Sequence, residues 1–270
     1  MTAQLRPNRI LQKLRRGEVV SCTKLNLSDP RVVEIAALSG FDCVWLDAEH
    51  VPNSVRDTER GIRAAQAYGI DAIVRVPRGS YSDLIRPLEM DAAGIMVPHV
   101  MSADDARGVA RQTRFHPIGM RALDGGNADG AYCKVDLKTY LEHANTQKLV
   151  IAQIEDPQAV EALEDIAQVE GIDMLFFGPG DYSHALAIPG QFDDPRIADA
   201  RRRVAEAAIK HGKFAGTVGG PTTLDQLTAL GYSFISTGAD VVGLGNYFAD
   251  LAAAFKPLNR SQNAPSVYRT

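Results

Sequence analysis

The sequence predicts an α/β fold of the (β/α)8, or TIM barrel, type: one barrel domain over residues 1–256 and a polar tail at 257–270. Three observations lead there. Short apolar β-type runs alternate with amphipathic helical stretches eight times along the chain. The first run passes into Lys24-Leu25-Asn26-Leu27-Ser28-Asp29-Pro30, which contains no glycine. The rival arrangement, a doubly wound open sheet, normally carries a Gly-rich phosphate loop at that point. Polar side chains also collect at the ends of the runs, where barrel enzymes keep their chemistry.

In chain order, strands are expected at 19–25, 43–47, 72–76, 94–97, 149–154, 174–177, 214–218 and 234–237. Each is a short run rich in residues that suit a sheet buried on both faces. Helices are expected at 30–38, 55–68, 82–90, 103–113, 157–168, 195–211, 224–230 and 240–255, the last forming a C-terminal arm. Ser54 and Ser102 precede apolar periodicity and read as N-caps. Gly69 and Gly212 stand where helix C-terminal glycines belong. A long insert, 116–136, separates the fourth and fifth units. Inserts of this length in a compact domain are often functional. The tail is polar and reads as an arm or a disordered end.

The chain has 270 residues, 45% hydrophobic, enough for one large core. Its net charge of −4 gives no electrostatic case for nucleic acid or an anionic membrane. Cys22, Cys43 and Cys133 are odd in number and widely spaced, which argues against a disulfide framework or zinc knuckle and for a reducing cytoplasm. The opening Met1-Thr2-Ala3-Gln4-Leu5-Arg6 lacks the apolar core of a signal peptide, and no run approaches the roughly 20 apolar residues of a membrane helix.

The chemistry-bearing positions follow from the strand ends. Lys24 ends the first strand, Asp47, Glu49 and His50 the second, Arg75 the third, Gln153 and Glu155 the fifth, and Asp181 follows the sixth. Glu155 and Asp181 suit a shared divalent cation, since hard cations take oxygen ligands and often only one or two carboxylates. The competing reading makes each a helix N-cap. Gly178-Pro179-Gly180-Asp181 offers close backbone approach and a helix start to a substrate carboxylate, or else an ordinary tight turn. Arg75 suits polarising a ketone or stabilising an enolate, or else an ion pair at the rim. His50 suits a general acid or base, with Glu89 as its orienting carboxylate, or else a solvated loop position. Lys24 raises a Schiff-base alternative.

At these residues the sequence resembles the HpcH/HpaI aldolases, metal-dependent (class II) pyruvate aldolases. The resemblance rests on Gly40-Phe41-Asp42, Leu46-Asp47-Ala48-Glu49-His50-Val51-Pro52-Asn53, Val74-Arg75-Val76-Pro77, Met96-Val97-Pro98, Pro117-Ile118-Gly119-Met120-Arg121, Gln153-Ile154-Glu155 and Gly178-Pro179-Gly180-Asp181-Tyr182-Ser183 in this order and spacing. It implies a barrel, commonly hexameric or trimeric with C-terminal helix exchange. It implies Mg2+, Mn2+ or Co2+ held by Glu155 and Asp181, with Gln153 in the same motif. It implies Arg75 on the keto oxygen, His50 in a proton-transfer pair with Glu89, and the backbone of Gly178, Pro179, Gly180 and Asp181 on the substrate carboxylate. The implied reaction is reversible cleavage of a 4-hydroxy-2-oxo acid to pyruvate, or a close 2-oxo acid, and an aldehyde. Alternatives are an oxaloacetate-type decarboxylase on the same site and a non-catalytic ligand-binding barrel. The chain departs from the family at four places. Glu89 stands where Asp is usual, Tyr182 of Gly180-Asp181-Tyr182-Ser183 where Leu is usual, and Lys24 where an aromatic or apolar residue is common, and 122–133 diverges.

Overall fold

The computed structural model describes residues 4–256, so the tail expected at 257–270 lies outside them. Eight parallel strands close a barrel in chain order: β1 (Val20–Leu25), β2 (Cys43–Asp47), β3 (Asp71–Arg75), β4 (Gly94–Val97), β5 (Leu149–Ile154), β6 (Met174–Phe177), β7 (Phe214–Gly219) and β8 (Phe234–Ala239). Strand β8 pairs back onto β1, which closes the ring. The helices are α1 (Arg9–Arg15), α2 (Pro30–Leu38), α3 (Val55–Ala67), α4 (Tyr81–Glu89), α5 (Ala103–Thr113), α6 (Leu137–Gln147), α7 (Pro157–Glu161), α8 (Leu163–Ala167), α9 (Pro179–Ala185), α10 (Pro195–Lys210), α11 (Leu224–Ala229) and α12 (Asp240–Ala253). The expected barrel is the observed one.

Strand alternation divides the core in two. Val20, Cys22, Cys43, Trp45, Ile73, Met96, Ile151, Met174, Phe176 and Phe234 fill the inside of the barrel. Val44, Leu46, Val74, Ile95, Val97, Val150 and Leu175 point outward under the helices. Space inside is tight. A Cβ on Gly216 would lie 2.7 Å from the Phe176 ring and 2.8 Å from Met174 Sδ, so a glycine there admits the Phe176 ring, which meets Trp45 and Phe234 edge-on.

Helix α1 closes the end of the barrel where the strands begin. Its Ile10, Leu11 and Leu14 join the inner core. Asp71, the first residue of β3, accepts from the Arg9 and Ile10 N–H groups at 2.7 and 3.0 Å and so satisfies the exposed start of the helix. Residues at the other end of the strands are therefore the ones with access to solvent.

The expected caps are present. Ser54 and Asp57 form a reciprocal capping box on α3, and Ser102 accepts from Asp105 N–H on α5. Gly69 and Gly212 follow helix ends with φ of +77° and +67°. Some expectations required correction. Helices α1 and α6 were not anticipated, and the single helix expected at 157–168 divides at Ala162 into α7 and α8. The insert at 116–136 lies against the outside of α3, α4 and α6. Ala122 N–H donates to the Tyr81 hydroxyl at 2.6 Å, Arg63 to the Tyr132 hydroxyl at 3.2 Å, and Arg121 pairs with Asp129 at 2.8 Å in a buried ion pair. Helix α12 has no buried residue; Val242, Tyr247, Phe248, Leu251 and Phe255 are all exposed on or just beyond it.

Candidate active site

Inward-facing positions at the strand ends bring four side chains of β1–β3 together. Asp47 is fully buried. Its two carboxylate oxygens accept from Arg75 Nε and Nη2 at 3.0 and 2.6 Å, a bidentate pair. Lys24 Nζ reaches the same carboxylate at 2.8 Å. Glu49 Oε2 lies 3.1 Å from Arg75 Nε, and His50 Nε2 lies 3.4 Å from the same oxygen. The Trp45 ring lies beneath both cations, with Arg75 Cζ at 4.7 Å and Lys24 Nζ at 5.5 Å from its centre. Burial works to raise the Asp47 pKa, but the hydrogen bonds from Arg75 and Lys24 outweigh it and hold the group at about 2.

Across the barrel, β5 supplies the second half. Glu155 is buried, and Gln153 Nε2 donates to its Oε2. The His99 backbone N–H donates to Oε1 at 2.9 Å, from a residue with φ of +51°. That left-handed conformation is uncommon for a non-glycine residue and clusters at functional sites. The His99 ring bonds Asp156 at 2.9 Å. Burial pushes the Glu155 pKa up to about 7; the nearby charges of Asp181 and Glu49 add to the rise, and the His99 contacts oppose it. Burial acts to lower the His99 pKa, but the Asp156 hydrogen bond and the Glu155 charge raise it.

The helix-cap reading of the two acids fails. Asp156, not Glu155, holds the N-cap position of α7, and Gly178, not Asp181, holds that of α9. Asp181 is an exposed residue of the first turn of α9. Gly178 is required for packing: a Cβ there would lie 2.6 Å from Glu155 Oε2 and 3.1 Å from Gln153 Nε2.

The donor set fits a hard divalent cation. Among the described residues no three His, Cys, Asp or Glu side chains form a metal-binding cluster, and two carboxylates suffice where water and substrate complete the shell. Gln153 Oε1 and Trp45 Nε1 are buried without a hydrogen-bond partner. Such atoms stand out in a folded protein and accord with a site built to receive polar groups. Glu155, Asp181 and Gln153 Oε1 supply oxygen donors only, which suits Mg2+ or Mn2+ over a softer metal.

The structure thus brings Lys24, His50 and Arg75 together on one wall and Gln153, Glu155 and the Gly178–Asp181 turn on the other. It does not bring Glu89 to His50 within one chain. Glu89 ends α4 beside the insert, where burial raises its pKa and the charges of Arg121 and Asp129 act on it in opposite senses. The acid that His50 meets is Glu49. The central role of Asp47, the floor made by Trp45, and the His99–Asp156 contact were not anticipated. For Asp47 a signal existed: Cys43, Trp45 and Asp47 alternate on β2, which places the acid on the same inward row as Arg75, its partner in register on β3.

Comparison with known proteins agrees with this geometry. The family model for HpcH/HpaI aldolase/citrate lyase matches residues 24–246. The chain belongs to the HpcH/HpaI aldolase/citrate lyase family. It is 34% identical over 250 residues to a hydroxypyruvate/pyruvate aldolase of Pseudomonas aeruginosa, covering 92% of this chain and 93% of that one. It is 31% identical over 265 residues to a 2-keto-3-deoxy-L-rhamnonate aldolase of Shigella sonnei (strain Ss046), covering 96% of each. Its fold superposes on the crystal structure of an HpcH/HpaI aldolase from Desulfitobacterium hafniense DCB-2 with a TM-score of 0.85 at 30% identity, covering 91% of this chain and 96% of that one. This HpcH/HpaI member is accordingly a lyase, and Asp47 to His50, Arg75, Gln153 to Glu155 and Gly178 to Asp181, which carry much of the resemblance, lie at the open end of its barrel.

Proposed function

We propose that this chain is a class II aldolase that reversibly cleaves a 4-hydroxy-2-oxo acid to pyruvate, or a close 2-oxo acid, and an aldehyde. One observation carries the reading. A buried carboxylate with its amide partner, Glu155 and Gln153, shares one open barrel end with an arginine clamped by carboxylates, Arg75. An enolate-forming site needs both an oxygen-rich cation site and a fixed positive charge for the developing oxyanion.

Glu155 and Asp181 would hold the divalent cation, Mg2+, Mn2+ or Co2+, which when bound supplies Lewis-acid polarisation of the 2-oxo group. Arg75 stabilises the oxygen that gains charge. Its two bonds to Asp47 fix the guanidinium plane, so little reorganisation accompanies the reaction. The first turn of α9 offers the Gly180 and Asp181 N–H groups, which lack intrahelical acceptors, to the substrate carboxylate. Pro179 between them and Gly178 presets the turn. His50, exposed and next to Glu49, carries the proton to and from the C4 hydroxyl.

The assembly and setting belong to the same proposal. The uncovered apolar residues of α12 support a homo-oligomer, hexamer or trimer. Among the described residues no helix is long and apolar enough to cross a membrane, and Cys22, Cys43 and Cys133 are all free thiols, which supports a reducing cytoplasmic setting.

The test is exchange of pyruvate methyl protons with D2O in the presence of Mn2+, followed by NMR. The wild type should exchange, and Glu155→Gln and Asp181→Asn should each lose at least about a hundredfold in rate. Undiminished exchange in both variants would overturn the assignment.

A further inference from the structure

One cation at the open end has no complete role in the pyruvate half of the reaction. In an eight-stranded barrel closed in chain order, β1 stands opposite β5. Lys24, at the end of β1, therefore faces Glu155 and Gln153 from the far wall. Its side chain is 23% exposed, while Arg75 is 5% exposed and Asp47 fully buried. Arg75 has already committed its Nε and Nη2 to Asp47, and Glu49 lies against the same Nε. Lys24 meets one acceptor among the described residues, Asp47 Oδ2. An ammonium has three N–H donors, so two remain directed away from Asp47. Beneath it lies the Trp45 face, which shields one side and prevents the amine from sinking into the core.

The nature of the second substrate follows from that placement. An aldehyde with an apolar tail, seated against this wall, would desolvate an ammonium and give it nothing in return, a costly arrangement. An anionic tail would take the two spare donors in charge-assisted hydrogen bonds. We propose that Lys24 is the residue that selects the electrophile, by binding an anionic group on the aldehyde while Asp47 holds the amine in place. The proposal rests on the aldolase reading above and adds the chemical class of its second substrate.

The test compares aldehydes of similar length within one enzyme: succinic semialdehyde against butanal, and glyceraldehyde 3-phosphate against glyceraldehyde, each condensed with pyruvate and Mn2+. The wild type should favour the charged member of at least one pair in kcat/KM, and which pair it favours separates a carboxylate from a phosphate. In Lys24→Met, with Lys24→Gln made in parallel in case one variant does not fold, the charged-to-neutral ratio for that pair should fall about fivefold or more. Because each ratio is taken within one variant, damage common to both substrates cancels. A wild type that favours neither charged aldehyde overturns the proposal, as does a ratio that falls less than this in a folded variant. Pyruvate proton exchange measured without aldehyde keeps the two claims apart. Exchange without charge preference removes the role of Lys24 alone, and absent exchange removes the aldolase reading itself.

Discussion

Asp47 and Glu155 are both buried carboxylates at the same barrel end, and their surroundings drive them in opposite directions. Asp47 has two cations on it and titrates at about 2. The shift from an ordinary aspartate corresponds to about 2 kcal/mol of stability, present above pH 4 and lost as the pH falls toward 2. Glu155 has an amide and a backbone N–H, and titrates at about 7. Its raised value means that burial within the fold favours the protonated form. That contribution is fully present below the ordinary glutamate range and is lost as the pH rises through 7. A cation at Glu155 requires the ionised form, so binding must displace a proton below pH 7. Mn2+ titrations followed by electron paramagnetic resonance should show affinity falling about tenfold per pH unit between pH 7 and 5, and a flat profile would contradict the site. At this scale the strand-end acids, Arg75 and His50 were legible as polar breaks in apolar runs. The acid that His50 meets within one chain, Glu49, was not. Glu89 is distant in sequence and ends a helix whose position against the insert no periodicity reveals, whereas Glu49 is simply the preceding residue.

Elements show why local pattern succeeded in some places and failed in others. Strands β2 and β4 to β6 match their expected bounds because largely apolar runs end at a polar residue, a glycine or a proline. Helix α6 escaped notice because only Tyr140 and Ala144 of it are buried, one pair of positions a turn apart. Helix α1 is two turns long, and beside its local N-cap Asn8 its start depends on Asp71, a partner sixty-odd residues away. The turn between β6 and α9 carries the clearest element-scale prediction. Gly178→Ala places a methyl group against Glu155 Oε2, and either the carboxylate or the turn must move. Mn2+ affinity should fall by about tenfold or more while the thermal midpoint shifts by only a few degrees. Full metal binding in this variant would show that Glu155 has more freedom than its packing implies.

For the molecule as a whole, the barrel was legible from eight alternations and one missing glycine loop, and the family from motifs scattered over most of its length. The assembly was not legible from periodicity, because an apolar helix face looks the same whether its cover lies in the same chain or in another. In the folded chain α12 has no cover of its own. Phe248→Asp, which puts a charge on that face, should reduce the mass measured by light scattering toward that of a 29.2 kDa single chain. An unchanged mass would mean that α12 is not the contact.

Helix α1 has a further consequence. By filling one end of the barrel with Ile10, Leu11 and Leu14, it turns a tube into a cup. Glu155 and Lys24 stand on opposite walls of that cup, so whatever is bound or made between them enters and leaves by one mouth.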